Sequence, residues 1–190
     1  MSILKDMDLS KEVLQPDFNL NRYLGEWYEI AKTPNFFEIG CASAKARYDK
    51  LSNTVISVIN TCLDEDGDCK SRTCEEAGRN NCRHKCECIP GWIWGQAKVL
   101  NPLFPAALRV SFFGEPDILP SGIPNYLIHS TNYKGYALVG DPGRVFLFIL
   151  ARKPVMKKSE FKKLVKFAKS LGYDTDKIII NTRKGKPVVY

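Results

Sequence analysis

The residues best suited to chemistry are seven cysteines, six of which (Cys62, Cys69, Cys74, Cys82, Cys86 and Cys88) fall within 27 residues while Cys41 stands apart. Such a cluster can cross-link the chain or hold a metal. Cys82-x-His84-x-Cys86-x-Cys88 offers four soft ligands. Zinc sites, however, space their ligand pairs by about two to four residues, and ligands closer than that strain one tetrahedron. Three disulfides among the clustered six, in one of about 15 pairings, fit better. They leave one cysteine free, modified or joined to a second copy of the chain as a homodimer. Asp64-Glu65-Asp66-Gly67-Asp68 has the acidity of a calcium loop but lacks the distant bidentate glutamate, so it reads as a solvated turn. No metal and no cofactor are expected.

Only two histidines occur in 190 residues, which excludes a His-rich metal site and argues against a His-based catalytic centre. The expectation is that the chain is not an enzyme. The net charge of +7 is unevenly placed, because residues 151–190 carry 12 Lys/Arg against 3 Asp/Glu. A near-neutral body with a basic tail argues against nucleic acid as a partner. No run of about 18 apolar residues is present, so no membrane-spanning helix is expected. Residues 1–20 lack the apolar stretch of a signal peptide, and no cysteine precedes Cys41 to take an N-terminal lipid. The cysteines favour an oxidising compartment, secreted, periplasmic or virion-like, whereas this N-terminus favours the cell interior.

These residues must be held by a scaffold of mostly short strands. Alternation and β-branched runs bounded by turn residues predict eight strands, over 23–32, 44–51, 55–62, 92–100, 107–113, 125–131, 136–139 and 145–152. Near-regular spacing of this kind indicates an up-and-down barrel or a sandwich. Residues 63–90, poor in apolar side chains, form a Cys-rich insertion between the third and fourth strands. One amphipathic helix follows, with Ser159 as its cap, Phe161, Leu164, Val165 and Ala168 on one stripe, and Gly172 as its stop. The 190 residues read as one domain.

Three short motifs carry a resemblance. Gly25-Glu26-Trp27 opens the first strand; Thr131-Asn132-Tyr133 follows the sixth, with Asn132 where Asp is usual; Phe148 to Pro154 ends in Arg152-Lys153-Pro154. In this order they resemble the lipocalins, closest to the branch of apolipoprotein D and the bacterial outer-membrane lipocalins. The resemblance implies an all-β, eight-stranded antiparallel barrel with one C-terminal helix. It implies that Gly25, Trp27, Thr131, Tyr133 and Arg152 are structural, with the arginine packed over the tryptophan. It also implies a small lipophilic ligand, such as a fatty acid or lysophospholipid, bound inside the barrel for transport or storage.

Period-2 alternation then assigns faces. With Arg109, Ser111, Ser57 and Lys98 in water, Ile56, Val58, Asn60, Ala97, Val99, Leu108, Val110 and Phe112 point inward. Trp27 carries Glu29 and Ala31 inward with it. The resemblance favours Tyr126 and Phe148 as wall residues, and parity adds Ile128 and Phe146. Ligand contacts are thus expected from Glu29, Ile56, Val58, Asn60, Val99, Leu108, Val110, Phe112, Tyr126, Ile128, Phe146 and Phe148. The same stripe could instead fill the barrel with packed side chains. Loops after the odd-numbered strands share one end, so every cysteine lies near the mouth, where the insertion could act as a lid. Aliphatic Ile118, Leu119, Ile123 and prolines 120 and 124 on a rim loop, together with Lys162, Lys163, Lys166 and Lys169 on the helix, suggest peripheral contact with an anionic membrane.

Overall fold

The fold was analysed in a computed structural model, which describes residues 7–35, 38, 41–64, 92–112 and 122–190. The strands are β1 (Gly25–Lys32), β2 (Ser43–Lys50), β3 (Val55–Leu63), β4 (Trp92–Val99), β5 (Ala107–Phe112), β6 (Tyr126–Thr131), β7 (Tyr136–Gly140) and β8 (Leu147–Ala151). Each pairs antiparallel with its sequence neighbour, and β1 pairs with both β2 and β8, so the sheet closes into a barrel. Closure removes the edges that eight short strands would otherwise expose. The Cys-rich insertion falls almost wholly outside the described residues.

Two apolar clusters divide the interior. One lies inside the barrel and includes Trp27, Tyr48, Ile56, Val58, Ala97, Val99, Leu108, Ile128, Val139 and Leu150. The other lies between the outer face of the barrel and helix α2 (Lys158–Ser170), and draws Phe161, Leu164 and Ala168 from the helix against Leu138, Leu147 and Ile149. The stripe of the helix is as expected, and Gly172, at φ +92°, ends it. Ser159 does not cap it. The extended residue before the helix is Lys157, without a side-chain cap, and the Lys158 N–H donates instead to the Tyr190 carbonyl at 2.6 Å. The chain's tail thus satisfies a donor that a cap would otherwise take.

The first strand begins later than alternation predicts, because Leu20–Tyr23 forms a helical turn, α1, with the Asn19 side chain accepting from the Arg22 N–H. Gly25 follows at φ +93°, and a Cβ there would lie 3.4 Å from the Arg152 guanidinium. The positive φ is what favours glycine at this motif position. Arg152 lies 3.7 Å over the Trp27 ring and donates to the carbonyls of Glu26 (2.7 Å), Leu24 (2.8 Å), Tyr133 (2.9 Å), Tyr23 (3.2 Å) and Arg22 (3.3 Å). The Trp27 indole N–H donates to the Tyr23 carbonyl at 2.8 Å. In the second motif, Thr131 Oγ1 accepts from the Tyr133 N–H and donates to the Tyr136 carbonyl. Asn132 Oδ1 accepts from the Gly135 and Tyr136 N–H groups, so the departure from Asp keeps the acceptor oxygen that this turn uses.

Cys41 and Cys62 form a disulfide, with Cα atoms 5.3 Å apart. This corrects the expectation of three bridges within the clustered six. The β2–β3 register sets Ser43 opposite Leu63 and Ala44 opposite Cys62, which brings the end of the β1–β2 loop beside Cys62. Cys69, Cys74, Cys82, Cys86 and Cys88 lie outside the described residues, as do His84 and most of the acidic turn. Among the described residues no group of His, Cys, Asp or Glu is arranged to hold a metal.

Two stability outcomes are expected. Arg152→Ala, which removes a donor from five carbonyls and leaves only that of Tyr23 with the Trp27 indole N–H, should lower the urea-denaturation free energy by about 3 kcal/mol, and Arg152→Lys should recover little of it. Replacing Cys41 and Cys62 together by serine should cost roughly 3 kcal/mol in the same assay, since the bridge closes a loop with a sequence separation of 21.

Candidate functional site

Strand polarity puts the β1–β2, β3–β4, β5–β6 and β7–β8 connections at one end of the barrel, opposite the Trp27–Arg152 plug. Toward the plug, the inward residues Tyr48, Val58, Leu108, Ile128 and Leu150 are buried. One pleat nearer the mouth on the same strands, Ala46, Asn60, Val110, Tyr126 and Phe148 keep part of their surface open. Ile93, opposite Asn60 on β4, does likewise. On β2 to β6 and on β8 the inward side chains are thus less tightly covered toward the mouth, although Val139, opposite Phe148 on β7, is fully buried. The barrel is densely packed at the plug end and more open toward the mouth.

This geometry sorts the expected ligand contacts. Asn60, Val110, Phe112, Tyr126 and Phe148 are partly exposed in the more open part. Ile56, Val58, Val99, Leu108 and Ile128 belong to the packed floor beneath it. Phe146 is half-buried and precedes β8, with its N–H held by Asp141 Oδ1 at 2.6 Å. Alternation did not identify Ala46, Ile93, Tyr23 or Tyr48. The run Ala44, Ala46, Tyr48, spaced by Lys45, Arg47 and Asp49, carried the signal for β2.

Glu29 is inward but not free. Between Glu29 and Ala31 the β1–β8 register slips by one, leaving Ile30 as the extra residue of a β-bulge. The slip turns Ala31 to the helix-side cluster, correcting its expected inward position, and sets Lys32 on the inner face opposite Phe148. Lys32 Nζ lies 3.1 Å from Glu29 Oε1 and also pairs with Glu38. Asn181, from the C-terminal segment, donates its side-chain amide to the carbonyl and to Oε1 of Glu29, each at 2.9 Å. Its backbone N–H donates to the Ile30 carbonyl, satisfying the bulged residue. Burial, with the Glu38 charge adding to it, raises the Glu29 carboxyl from 4.5 to about 7 against the opposing pull of Lys32 and Asn181.

Three tyrosines meet at the floor of the lumen. The Tyr126 hydroxyl is 2.9 Å from that of Tyr23 and 2.8 Å from that of Tyr48. Burial raises all three phenols, Tyr48 to about 12, so they are neutral at ordinary pH.

The outer face differs from expectation at Arg109, which is buried and donates to the Ile123 carbonyl at 2.9 Å. Ser57 is buried as well. Ile123 and Pro124, expected as exposed rim aliphatics, are buried because the chain folds back over Arg109. Asn125 stands in for a strand pair, its side-chain amide bonding both the N–H and the carbonyl of Val110. Ile118, Leu119 and Pro120 lie outside the described residues, while Lys162, Lys163, Lys166 and Lys169 are exposed.

The raised Glu29 carboxyl sets a pH dependence. Between 4.5 and about 7 the folded state holds a proton that the unfolded chain releases. This contribution is present at low pH and is lost as pH rises through that window. Denaturation free energies measured from pH 4.5 to 7.5 should show a downward component that Glu29→Gln removes.

A family model described as a lipocalin-like domain matches residues 18–79 and 73–183. The chain is 29% identical to the outer membrane lipoprotein Blc of Vibrio cholerae over 164 residues, covering 86% of this chain and 81% of that one. It is 30% identical to mouse apolipoprotein D over 181 residues, covering 92% and 82%. Among solved structures, lobster apocrustacyanin A1 superposes with a TM-score of 0.57 at 20% identity, covering 87% of this chain and 79% of that one. With the closed eight-stranded barrel, the plugged floor and the more open mouth end, these matches establish that the chain belongs to the lipocalin family, whose members bind small hydrophobic ligands.

Proposed function

We propose that the protein binds one small lipophilic molecule in the lumen, a fatty acid, a lysophospholipid or a similar single-chain lipid, and carries or stores it. The observation that carries this reading is the ring of inward residues above the floor, Ala46, Asn60, Ile93, Val110, Tyr126 and Phe148, which a solid core would have buried. An apolar wall with a few placed polar groups suits a ligand that is mostly hydrocarbon. Burying a 16-carbon chain yields about 12 kcal/mol gross. Ordering and association costs remove much of that, leaving micromolar to nanomolar affinity.

A carrier role needs no reaction, and the names of the relatives, a lipoprotein and an apolipoprotein, accord with binding. Intact mass measured under native and then denaturing conditions tests the reading. The native protein should carry an excess of about 250–600 Da, the size of one lipid that such a barrel can enclose, and lose it on denaturation. Protein that takes up no lipid after incubation with a fatty acid and with a lysophospholipid would refute it.

A further inference from the structure

The three floor tyrosines carry three hydroxyl protons but make only two hydrogen bonds among themselves. Among the described residues no other group accepts from any of these hydroxyls. Whichever way the protons run, one O–H is left to donate elsewhere, and a buried donor without an acceptor costs about 1–3 kcal/mol. Tyr23 and Tyr48 are buried at 1% and 3% exposure, whereas Tyr126, whose hydroxyl lies between theirs, is an inward residue that remains partly exposed. The arrangement in which Tyr23 and Tyr48 both donate to Tyr126, and Tyr126 donates upward, sends the spare proton into the lumen. Accepting two bonds also polarises that hydroxyl and makes it the better donor.

The charge of the acceptor follows from the surroundings. The nearest cation below, Arg152, lies under the Trp27 ring and is committed to five carbonyls. Lys32, near the mouth, is paired with Glu29 and Glu38. A carboxylate on the floor would meet neutral phenols, and burial, which outweighs the pull of the Arg152 charge on Tyr23 and Tyr48, would disfavour it as it disfavours phenolate. We propose that the Tyr126 hydroxyl, supported by Tyr23 and Tyr48, is a donor site for a neutral carbonyl oxygen, so that the ligand enters oxygen-first with its hydrocarbon toward the mouth. The inference rests on the lumen being the ligand site and narrows the ligand class within it. An ionised fatty acid would then sit the other way, with its carboxylate at the mouth.

The test uses three matched probes, 2-undecanone, undecane and undecanoate, titrated by calorimetry at pH 8 into the full chain and into the Tyr126→Phe and Tyr48→Phe variants. Tyr126→Phe should weaken 2-undecanone about fivefold, the equivalent of one net hydrogen bond, and leave undecane unchanged. Tyr48→Phe still leaves two protons and one bond, so it should retain most of the ketone affinity. The infrared carbonyl stretch of bound 2-undecanone should lie below its value in alkane solvent for the unaltered protein and return toward it in Tyr126→Phe. Undecane binding with no carbonyl shift in the unaltered protein would overturn the donor site while leaving the lumen as a pocket. So would an undecanoate affinity that falls as far as the ketone's on Tyr126→Phe. Failure of all three probes to bind would overturn the pocket itself, and the donor site with it.

Discussion

Everything above the floor of this barrel depends on one guanidinium. Arg152 lies against the face of Trp27 and gathers carbonyls from α1, from the start of β1 and from the β6–β7 turn. The first two adjoin in sequence while the turn lies far along the chain, and backbone oxygens from all three are directed at the same guanidinium. A cation with five donors in a fixed plane can satisfy them together, whereas an ammonium cannot reach so many directions at once. The stack on Trp27 fixes the ring, and the ring supports Tyr23 at a centroid distance of 5.0 Å. The tyrosine floor thus rests on a plug whose own support lies outside the barrel. One end can then be dense enough to be rigid while the other stays more open.

Much of this was legible in the sequence because it depends on period and on a few fixed residue types. All eight strands fall where alternation put them, with ends shifted by one or two residues. The helix stripe read correctly because its partner is a single flat face. The Gly25, Trp27 and Arg152 triad was recognisable because backbone sign, ring and guanidinium admit almost no substitutes. The inner face also read correctly wherever the strand runs without interruption, as along β3 and β5.

The failures have a common cause. Alternation assumes an unbroken register, and the bulge at Ile30 breaks it, reversing Ala31 and Lys32. No local signal marks a bulge whose extra carbonyl is satisfied by Asn181, about 150 residues later. Arg109 and Ser57 were assigned to water because they are polar, yet another part of the chain covers Arg109 and supplies it with an acceptor. Nor does parity distinguish an inward residue of the floor from one in the more open part. Depth along the barrel axis decides that, and depth is set by strand tilt and plug position. The pairing of Cys41 with Cys62 was obscured because the cysteine count grouped residues by distance along the chain, whereas the β2–β3 register grouped them in space.

The wall beside Glu29 is finished by the tail of the protein. β2 leaves β1 after Tyr28, and the short strand β9 (Ile179–Ile180) takes its place beside Ala31 and Lys32, with Asn181 closing the corner. The eight barrel strands all precede this segment in the chain, so it docks on a sheet that they already define. Without it the wall would have a gap beside Ala31 and Lys32, and Glu29 would lose the Asn181 amide. Residues 179–181 thus act as a seal, a piece from outside the barrel strands that finishes the container those strands shape.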